Sequence, residues 1–414
     1  MATGRMATGI ADDGRAIGRS AALGWMAVVM VLTMSTWFSA SAVIPQLREE
    51  WGLSTNQGSL LTIAVQLGFV AGALGSSLFN LADVFAPKRV IWVAALGAAA
   101  ANALIVFADG AGTAIPLRFA TGLFLAGVYP VALKLVSTWY QSGRGTALGI
   151  MVGALTLGSA MPHLVNGLGG IEWEQVILAT SALTALGAVL TIALVHEGPF
   201  PFPRATFNPR QTAEAWRNRG LRLASFGYFG HMWELYAMWA WFLAFFTAAL
   251  AEDGRTGTSI AALGTFAVIG VGFVGCYAGG VLGDRWGRTK TTSLAMAVSG
   301  ACALLAGFVF TASPWVVFAL GLVWGVAVVA DSAQFSTMVS ELADQAYVGT
   351  ALTLQLAIGF TLTVVTIWLI PIMRDEFGWE WAFALLVPGP VLGIAAMLYL
   401  RRLPEANLIA GGRG

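Results

Sequence analysis

The protein has 414 residues, of which 57% are hydrophobic and 10% are charged, and its formal net charge is +1. A soluble globular protein carries about 25% charged residues to cover its surface, and a nucleic-acid-binding protein carries a surplus of positive charge that contacts phosphates. The composition therefore excludes a water-soluble enzyme and a nucleic-acid partner, and it indicates an integral membrane protein.

Twelve apolar segments follow one another along the chain. Each is long enough to cross a bilayer as an α-helix, which takes about 20 residues, and none alternates polar and apolar residues as the strands of a membrane β-barrel do. We therefore predict an all-α membrane fold of twelve helices. The predicted spans are residues 22–45, 57–80, 89–108, 115–138, 145–168, 174–195, 222–249, 259–282, 291–312, 315–338, 347–372 and 380–400.

Basic residues are distributed unequally between the two sides of this predicted bundle. If residues 1–21 lie in the cytoplasm, 17 of the 22 Lys and Arg residues fall on that side and 3 on the other. Because cytoplasmic loops of membrane proteins carry an excess of Lys and Arg, both termini are predicted to be cytoplasmic. The expected location is the cytoplasmic (inner) membrane, which the chain crosses many times.

The longest polar segment between spans, residues 196–221, separates six spans from six. Short motifs recur in the two halves: Leu-Ala-Asp ending at Asp83 matches Leu-Gly-Asp ending at Asp284, and Gly-Thr-Ala-Leu starts at both Gly145 and Gly349. Repeated bundles with a site between them are the layout of secondary transporters. We predict a cytoplasmic tail, a first bundle, a linker, a second bundle and a second cytoplasmic tail, at residues 1–21, 22–195, 196–221, 222–400 and 401–414.

The loop after the eighth span resembles a signature of the major facilitator superfamily. It reads Gly-Gly-Val-Leu-Gly-Asp-Arg-Trp-Gly-Arg-Thr-Lys from Gly279 to Lys290, and the segment from Arg118 to Gly122 is similar to the family's R-x-x-x-G motif in helix four. The resemblance implies two pseudo-symmetric six-helix bundles around a central cavity that opens alternately to each side. It also implies a transporter rather than an enzyme.

The resemblance further implies that two cytoplasmic loops close the cavity when it opens outward. In the second loop, Gly283 and Gly287 permit a tight turn at positive φ, and Asp284 can pair with an arginine or with the positive end of a helix. The first copy lacks both glycines and the first arginine, and an ordinary positive-inside anchor is the alternative for the second. The residues predicted to gate are Asp83, Lys88, Arg89, Gly283, Asp284, Arg285, Gly287 and Arg288.

Four charged residues lie within predicted spans: Arg118, Lys134, Glu234 and Asp331. Each costs at least ~2.5–3.5 kcal/mol at bilayer depth, so we expect each to face a cavity or another charge. Lys134 and Asp331 lie at comparable depths in the fourth and tenth spans and form a candidate pair between the bundles. Alternatively, Lys134 extends to the headgroups. The family motif implies a cavity-facing role for Arg118.

Glu234 gives the most specific prediction, because it lies close to the middle of the seventh span. His231 precedes it by three residues and therefore shares its helical face. A buried carboxylate beside an imidazole can take up and release a proton near neutral pH. We predict that the two residues form a proton-coupling or substrate-binding centre. A structural pair that joins two helices is the alternative.

Uncharged side chains complete the candidate binding site. The residues predicted to line it are Trp37 in the first span, Trp233 and Tyr236 in the seventh, and His163 and Asn166 one turn apart in the fifth. Helix packing is the alternative for His163 and Asn166. A metal ion would need closely spaced Cys or His ligands, and the chain has no such spacing. We therefore predict neither a metal nor a cofactor, and no nucleotide-binding motif is present.

These features predict a monomeric secondary active transporter that moves a small organic solute by alternating access, driven by protons. Arg118 in one half and Glu234 in the other favour uptake of a carboxylate-bearing metabolite together with a proton. Proton-driven export of an aromatic or amphipathic compound is the alternative, supported by the tryptophans of the seventh span. The sequence leaves the solute, the direction of transport and the choice between H⁺ and Na⁺ open.

Overall fold

A computed structural model describes residues 9–10, 16–140, 143–169, 171–200, 208–255, 257–344 and 347–414 of the chain, and the side chains of residues 9, 10, 16, 17, 82, 83, 209 and 214 lie outside this description. Within these ranges twelve helices are long and apolar enough to cross a membrane, which confirms the predicted number. Helix 1 to helix 12 are Arg19–Thr36, Thr55–Leu78, Pro87–Phe107, Ala111–Ser137, Arg144–Gly167, Trp173–Leu194, Arg219–Glu252, Thr258–Trp286, Arg288–Phe308, Pro314–Leu342, Val348–Phe377 and Trp379–Leu400.

Short elements connect the spanning helices. Because the number of described spans is even, helix 1 begins and helix 12 ends on the same side of the bundle, which we call the terminal side. The short helices Ile44–Trp51, Leu81–Val84 and Thr212–Arg217 and the 3-10 turn Pro209–Gln211 lie between spans. Two antiparallel strands, Gly9–Ile10 and Ala16–Ile17, precede helix 1, and a 3-10 turn at Pro404–Gly411 follows helix 12.

Helix 1 is not the unbroken helix that the sequence predicted. Its α-helical part ends at Thr33, and residues 34–43 form 3-10 turns and irregular backbone before the helix Ile44–Trp51 begins. The hydroxyl groups of Ser35 and Ser39 donate to the carbonyl groups of Val31 and Thr36. Side chains of this kind compete with the helical hydrogen bonds of the backbone. We call residues 34–43 the broken segment.

Helix 4 and helix 10 are also interrupted, at matching places. Helix 4 consists of Ala111–Leu125 and Tyr129–Ser137, and helix 10 consists of Pro314–Ala330 and Ser332–Leu342. Pro130 explains the first interruption, because proline lacks the N–H group that a helix interior needs. Helix 7, in contrast, continues without interruption for 34 residues.

The two bundles repeat one glycine-dependent helix packing. In the first, Gly122 of helix 4 lies against the carbonyl oxygen of Val65 in helix 2; in the second, Gly325 of helix 10 lies against that of Val268 in helix 8. Both residues of the second contact are 203 positions after those of the first. A second pair of contacts has the same offset: Gly72 with Leu123, and Gly275 with Val326. A methyl group at these glycines would overlap the facing backbone, so small residues permit the close approach.

The bundles meet along two pairs of helices, helix 2 with helix 11 and helix 5 with helix 8. In the first pair, Ser77 Oγ lies 3.1 Å from Thr353 Oγ1. In the second, Thr156 Oγ1 lies 3.9 Å from Cys276 Sγ. The space between these two helix pairs is therefore the interface at which a site between bundles is expected.

Candidate functional site

A cluster of six aromatic residues joins the bundles at their centre. The Trp37 ring lies 4.9 Å from the Phe69 ring in the first bundle and 5.8 Å from the Tyr236 ring in the second, and Phe69 lies 4.5 Å from Phe360. All six side chains are buried. We call this set the central aromatic cluster: Trp37, Phe38, Phe69, Tyr236, Trp239 and Phe360. Because rings of opposite bundles are in contact, the interface is closed at this level.

Buried polar atoms without a hydrogen-bond partner occur in and near the cluster. Within the described part of the chain they include Trp37 Nε1, Trp239 Nε1, Ser159 Oγ, Gln355 Nε2, both amide atoms of Gln66 and both ring nitrogens of His163. Gln66 precedes Phe69 by one helical turn and therefore lies on the same face of helix 2. Buried polar groups normally have partners, so this group of orphans suits a site that a polar ligand occupies at another stage.

Arg118 is completely buried, with 0% of its surface exposed. Its guanidinium donates to the carbonyl of Thr36 at 2.9 Å, to that of Leu61 at 3.3 Å, and also to that of Trp37. It further donates to Ser39 Oγ at 2.9 Å and to Asn102 Oδ1 at 3.0 Å. The guanidinium thus replaces the helical donors that the broken segment lacks. Each of its three nitrogens donates to a neutral oxygen of the first bundle, so the guanidinium holds the broken segment in this conformation.

Asn102 of helix 3 belongs to the same network, although the sequence did not single it out. Its Oδ1 also accepts from Ser39 at 2.6 Å, and its Nδ2 donates to Ser181 Oγ in helix 6 at 2.9 Å. The residue is fully buried. In the sequence, Asn102 is a single amide within the alanine-rich third span, and such a residue by itself is typical of helix packing.

Glu234 lies inside the second bundle and is bound by two neutral donors. Ser299 Oγ of helix 9 donates to Oε2 at 2.8 Å, and Trp324 Nε1 of helix 10 donates to Oε1 at 2.7 Å. The carboxyl group is buried. Both of its oxygens therefore have partners within the bundle, and neither partner is His231.

His231 is directed at Asp331, whose carboxylate lies at the interruption of helix 10. His231 Nδ1 and Asp331 Oδ1 are 2.8 Å apart, but the oxygen has no aligned donor, so the contact is electrostatic rather than a linear hydrogen bond. Helices 7 and 10 run in opposite directions. His231 therefore contacts Asp331, whereas Glu234, three residues further along helix 7, contacts Trp324, which lies two turns before Asp331 in helix 10. The shared helical face was predicted correctly, but the two side chains have separate partners.

The other predicted lining residues divide into two groups. Trp37, Tyr236 and His163 lie at the interface between bundles. Trp233 donates to the carbonyl of Leu385 at 3.0 Å, and Asn166 donates to that of Ala42 at 2.8 Å, so both have backbone partners. Lys134 is half-buried in the last turn of helix 4.

The loop between helices 8 and 9, within the segment from Gly279 to Lys290, joins the two bundles at the terminal side. We call it the second-half loop. Asp284 Oδ2 accepts from Thr146 Oγ1 at 3.3 Å, in the first turn of helix 5 of the other bundle. Gly145 lies directly against the same carboxylate, where a larger residue would overlap it. The acid thus sits at the positive end of helix 5. Arg288 lies 3.3 Å from Asp284 Oδ1 and donates to both carboxylate oxygens of Glu341.

The two glycines of this loop have different roles. Gly287 has a φ of +100°, a conformation that favours glycine, as predicted. Gly283 is helical, so the positive φ predicted for it was wrong. It lies against the Gln334 side chain, which accepts from Arg288 at 2.7 Å, and a Cβ atom at residue 283 would displace that amide. Arg285 is exposed.

The corresponding loop between helices 2 and 3, which we call the first-half loop, spans residues 79–89. The side chain of Asp83 lies outside the described residues. Lys88 is half-buried and Arg89 exposed in the first turn of helix 3. Asn80 takes the left-handed turn with a φ of +48°, in a loop that has no glycine.

The carboxyl-terminal segment lies against the second-half loop. The backbone N–H of Ala410 donates to Glu341, and the Ile409 side chain is fully buried. The side chain of Arg413 donates to the carbonyl of Asp284, and Thr289 Oγ1 donates to the carbonyl of Gly414. The segment therefore contacts both the acid and the arginine network of this loop.

Comparison with known proteins agrees with this architecture. The family model described as Major Facilitator Superfamily matches residues 26–253 and 235–413. A probable sulfoacetate transporter of Cupriavidus necator, SauU, is 27% identical over 316 residues, which are 70% of this chain and 72% of that protein. A gentisate transporter of Corynebacterium glutamicum is 26% identical over 165 residues, 38% of this chain and 37% of that one. The solved structure of the proton:xylose symporter XylE shares the fold, with a TM-score of 0.70 at 14% identity over 93% of this chain and 95% of that one.

Proposed function

The chain belongs to the major facilitator superfamily, and we propose that it carries a small organic acid across the cytoplasmic membrane together with protons, by alternating access. A transporter rather than an enzyme follows from the family and the fold. The terminal side is then the cytoplasmic side, as the basic residues predicted. The observation that carries the substrate proposal is the central aromatic cluster with its unpartnered polar atoms.

The cluster suits a ligand with an apolar body and a polar end. Binding sites for small molecules are mostly apolar, with a few polar groups that fix orientation. The rings of Phe69 and Phe360 offer apolar surface, and the indole N–H groups of Trp37 and Trp239 are free to donate to ligand oxygens. The relatives named for sulfoacetate and gentisate both carry organic acids by name, which supports the same class here.

We assign proton coupling to the contact between His231 and Asp331. Both side chains are buried within the membrane-spanning part of the chain, and their contact spans helices 7 and 10. Asp331 separates the two parts of helix 10, and the part after it packs against helix 5 of the other bundle and carries Gln334 and Glu341. Protonation of Asp331 would weaken its attraction to His231. It would thereby loosen the contact between helix 7 and helix 10 at the interruption of helix 10. The second part of helix 10 carries Gln334 and Glu341, which bind Arg288 of the second-half loop.

The test compares two conservative variants in proteoliposomes: Asp331→Asn and Glu234→Gln. Asp331→Asn should lower the accumulation of acid driven by an inward proton gradient while counterflow continues, because the variant still binds solute but has lost the proton that Asp331 takes up. Glu234→Gln should retain accumulation, since the amide oxygen can accept from Trp324 Nε1 while the amide NH₂ donates to Ser299 Oγ. A panel of acetate, sulfoacetate, benzoate and gentisate supplies the solutes. Normal accumulation by Asp331→Asn would contradict the assignment of proton coupling to Asp331. Loss of proton-driven accumulation in Glu234→Gln would instead assign proton coupling to Glu234.

Export of an aromatic compound in exchange for protons is the second candidate, and the six rings of the central cluster favour it. The two candidates differ in the sign of the gradient effect. For symport, acid outside the vesicle drives solute inward, whereas for exchange, acid inside the vesicle does so. Imposing each gradient in turn on samples of the same vesicle preparation separates symport from exchange.

A further inference from the structure

His163 is a buried histidine without a partner. Its side chain is 1% exposed, and neither ring nitrogen has a hydrogen-bond partner in the described part of the chain. The other two histidines differ from it: His231 contacts Asp331, and His196 is half-buried in the loop after helix 6, where its Nδ1 lies 3.0 Å from the carbonyl of Leu194. A buried imidazole with two empty positions is unusual, because buried polar groups are normally bonded.

The ring lies on the face of helix 5 that looks toward the interface. Thr156, Ser159 and His163 follow one another at spacings of three and four residues and so share one helical face. Thr156 lies beside Cys276 of the second bundle, and Ser159 Oγ is also unpartnered. One turn beyond His163, Asn166 reaches the broken segment. The imidazole therefore lies between the broken segment and the second bundle.

The elements packed against helix 5 place no charge against this ring in the ranges that the structure describes. The broken segment and the first part of helix 8, Thr258–Gly270, carry no charged residue. Cys276 lies at the level of Thr156, two turns or about 10 Å away along the helix. The titratable and charged groups on the neighbouring elements are Arg19 of helix 1, Arg118, Tyr129 and Lys134 of helix 4, Glu174 of helix 6, Cys276, Tyr277, Asp284 and Arg285 of helix 8, and Asp331 and Glu341 of helix 10. Of these, Arg118 donates to the broken segment itself.

We propose that His163 in its protonated form binds the carboxylate of the transported acid, so that proton and anion occupy the site together. This assignment rests on the proposed function. A carboxylate that leaves water for a site of low polarity needs an opposite charge and a donor, and an imidazolium supplies both in one charge-assisted bond. Arg118 has another role here, because each of its three nitrogens donates to an oxygen of the first bundle and holds the broken segment. Without solute, neither ring nitrogen has a partner in the described part of the chain, so both are open to a ligand. An uncompensated positive charge would be costly at this buried position, so the proton enters together with the anion.

The site consequently favours an acid over the corresponding amide, and it takes up a proton when the acid binds. At the cytoplasmic opening, water solvates the carboxylate again and the imidazolium releases its proton. His163 is thus a specificity-determining residue, and the indole N–H groups of the cluster complete the coordination of the solute.

The experiment measures binding and proton uptake by the purified protein in weakly buffered detergent solution. Benzoate and benzamide are the first probes, followed by the amide and acid forms of the other panel members. In the wild type we expect benzoate binding to take up one proton and to weaken as pH rises. His163→Gln should weaken benzoate binding about 10- to 100-fold, leave benzamide binding unchanged and abolish the proton uptake.

His196→Gln is the matched control and should behave as the wild type. His163→Asn, tested beside His163→Gln, provides a second variant if one of them fails to fold, as judged by size-exclusion chromatography. If the variants keep acid preference and proton uptake, His163 is a packing residue and the assignment is wrong, while the proposed function stands. If the wild type binds no acid of the panel, the proposed function fails as well.

Discussion

The two bundles share their helix packing but carry charges of opposite sign in the interior of their spans. The first bundle holds Arg118 in a shell of neutral oxygens, and the second holds Glu234 between neutral donors and Asp331 beside a histidine. The position 203 residues after Arg118 is Gly321, and the space beside it is occupied by the Phe242 ring of helix 7. This difference explains why helix 1 is broken and helix 7 is not. Only the first bundle has a guanidinium that can replace the missing helical donors.

The largest expected effect comes from removing that guanidinium. Arg118→Met leaves the buried carbonyl of Trp37 without its donor and removes one donor from the carbonyl of Thr36 and from Asn102 Oδ1. Because several hydrogen bonds to a charged donor, each contributing about 1.5–3 kcal/mol, are lost together, we expect a loss of about 3–5 kcal/mol of stability. Thermal melting of the detergent-solubilised protein measures it. Arg48→Met, at a half-buried arginine in the helix that follows the broken segment, is the control and should melt close to the wild type. Equal melting of both variants would show that the broken segment does not depend on Arg118.

An intermediate effect is expected at the repeated glycine contacts. Gly122→Ala and Gly325→Ala each place a methyl group against a backbone carbonyl, that of Val65 or of Val268. Overpacking of this kind costs about 1–3 kcal/mol, and the two losses should be similar. Gly24→Ala, where nothing lies within 4 Å, is the control and should not destabilise. Clearly unequal losses of stability at Gly122 and Gly325 would mean that the contact between helices 2 and 4 is not equivalent to the contact between helices 8 and 10.

The smallest expected effect concerns the two loops. An acid at a helix N-terminus contributes about 0.3–1 kcal/mol, so Asp284→Asn should raise the population that is open at the terminal side about 2- to 5-fold. Asp83→Asn should have less effect, because its loop lacks the glycines and the first arginine. The readout is the maleimide labelling rate of Ser225→Cys, which lines a small cavity at the terminal side, since both native cysteines are buried. An equal effect of the two variants would contradict the asymmetry between loops.

Much of the fold could be predicted because the length and apolarity of a span are local properties. The twelve helices, the two halves and the turn at Gly287 followed from short stretches of sequence. The interruption of helix 1 could not be predicted in the same way. It depends on Arg118, 82 residues beyond Thr36, which satisfies the carbonyl groups that the break exposes.

The partners of buried side chains were harder to predict than the helices that carry them. Spacing placed His231 and Glu234 on one face correctly. Their separate partners depend on the register of helix 7 against helices 9 and 10, which no local pattern contains. The unpartnered state of His163 is likewise a property of its surroundings, since the sequence shows only that an imidazole and an amide lie one turn apart.

The docked carboxyl-terminal segment has a practical consequence for anyone who studies this carrier. Gly414 is buried, and the residues just before it touch Asp284 and Glu341. A fluorescent reporter or affinity tag fused at that end has to leave from a crowded position and will pull on the loop that joins the bundles. Fusions at the amino-terminal end avoid this contact, so they are the better choice for expression screening and for kinetic work.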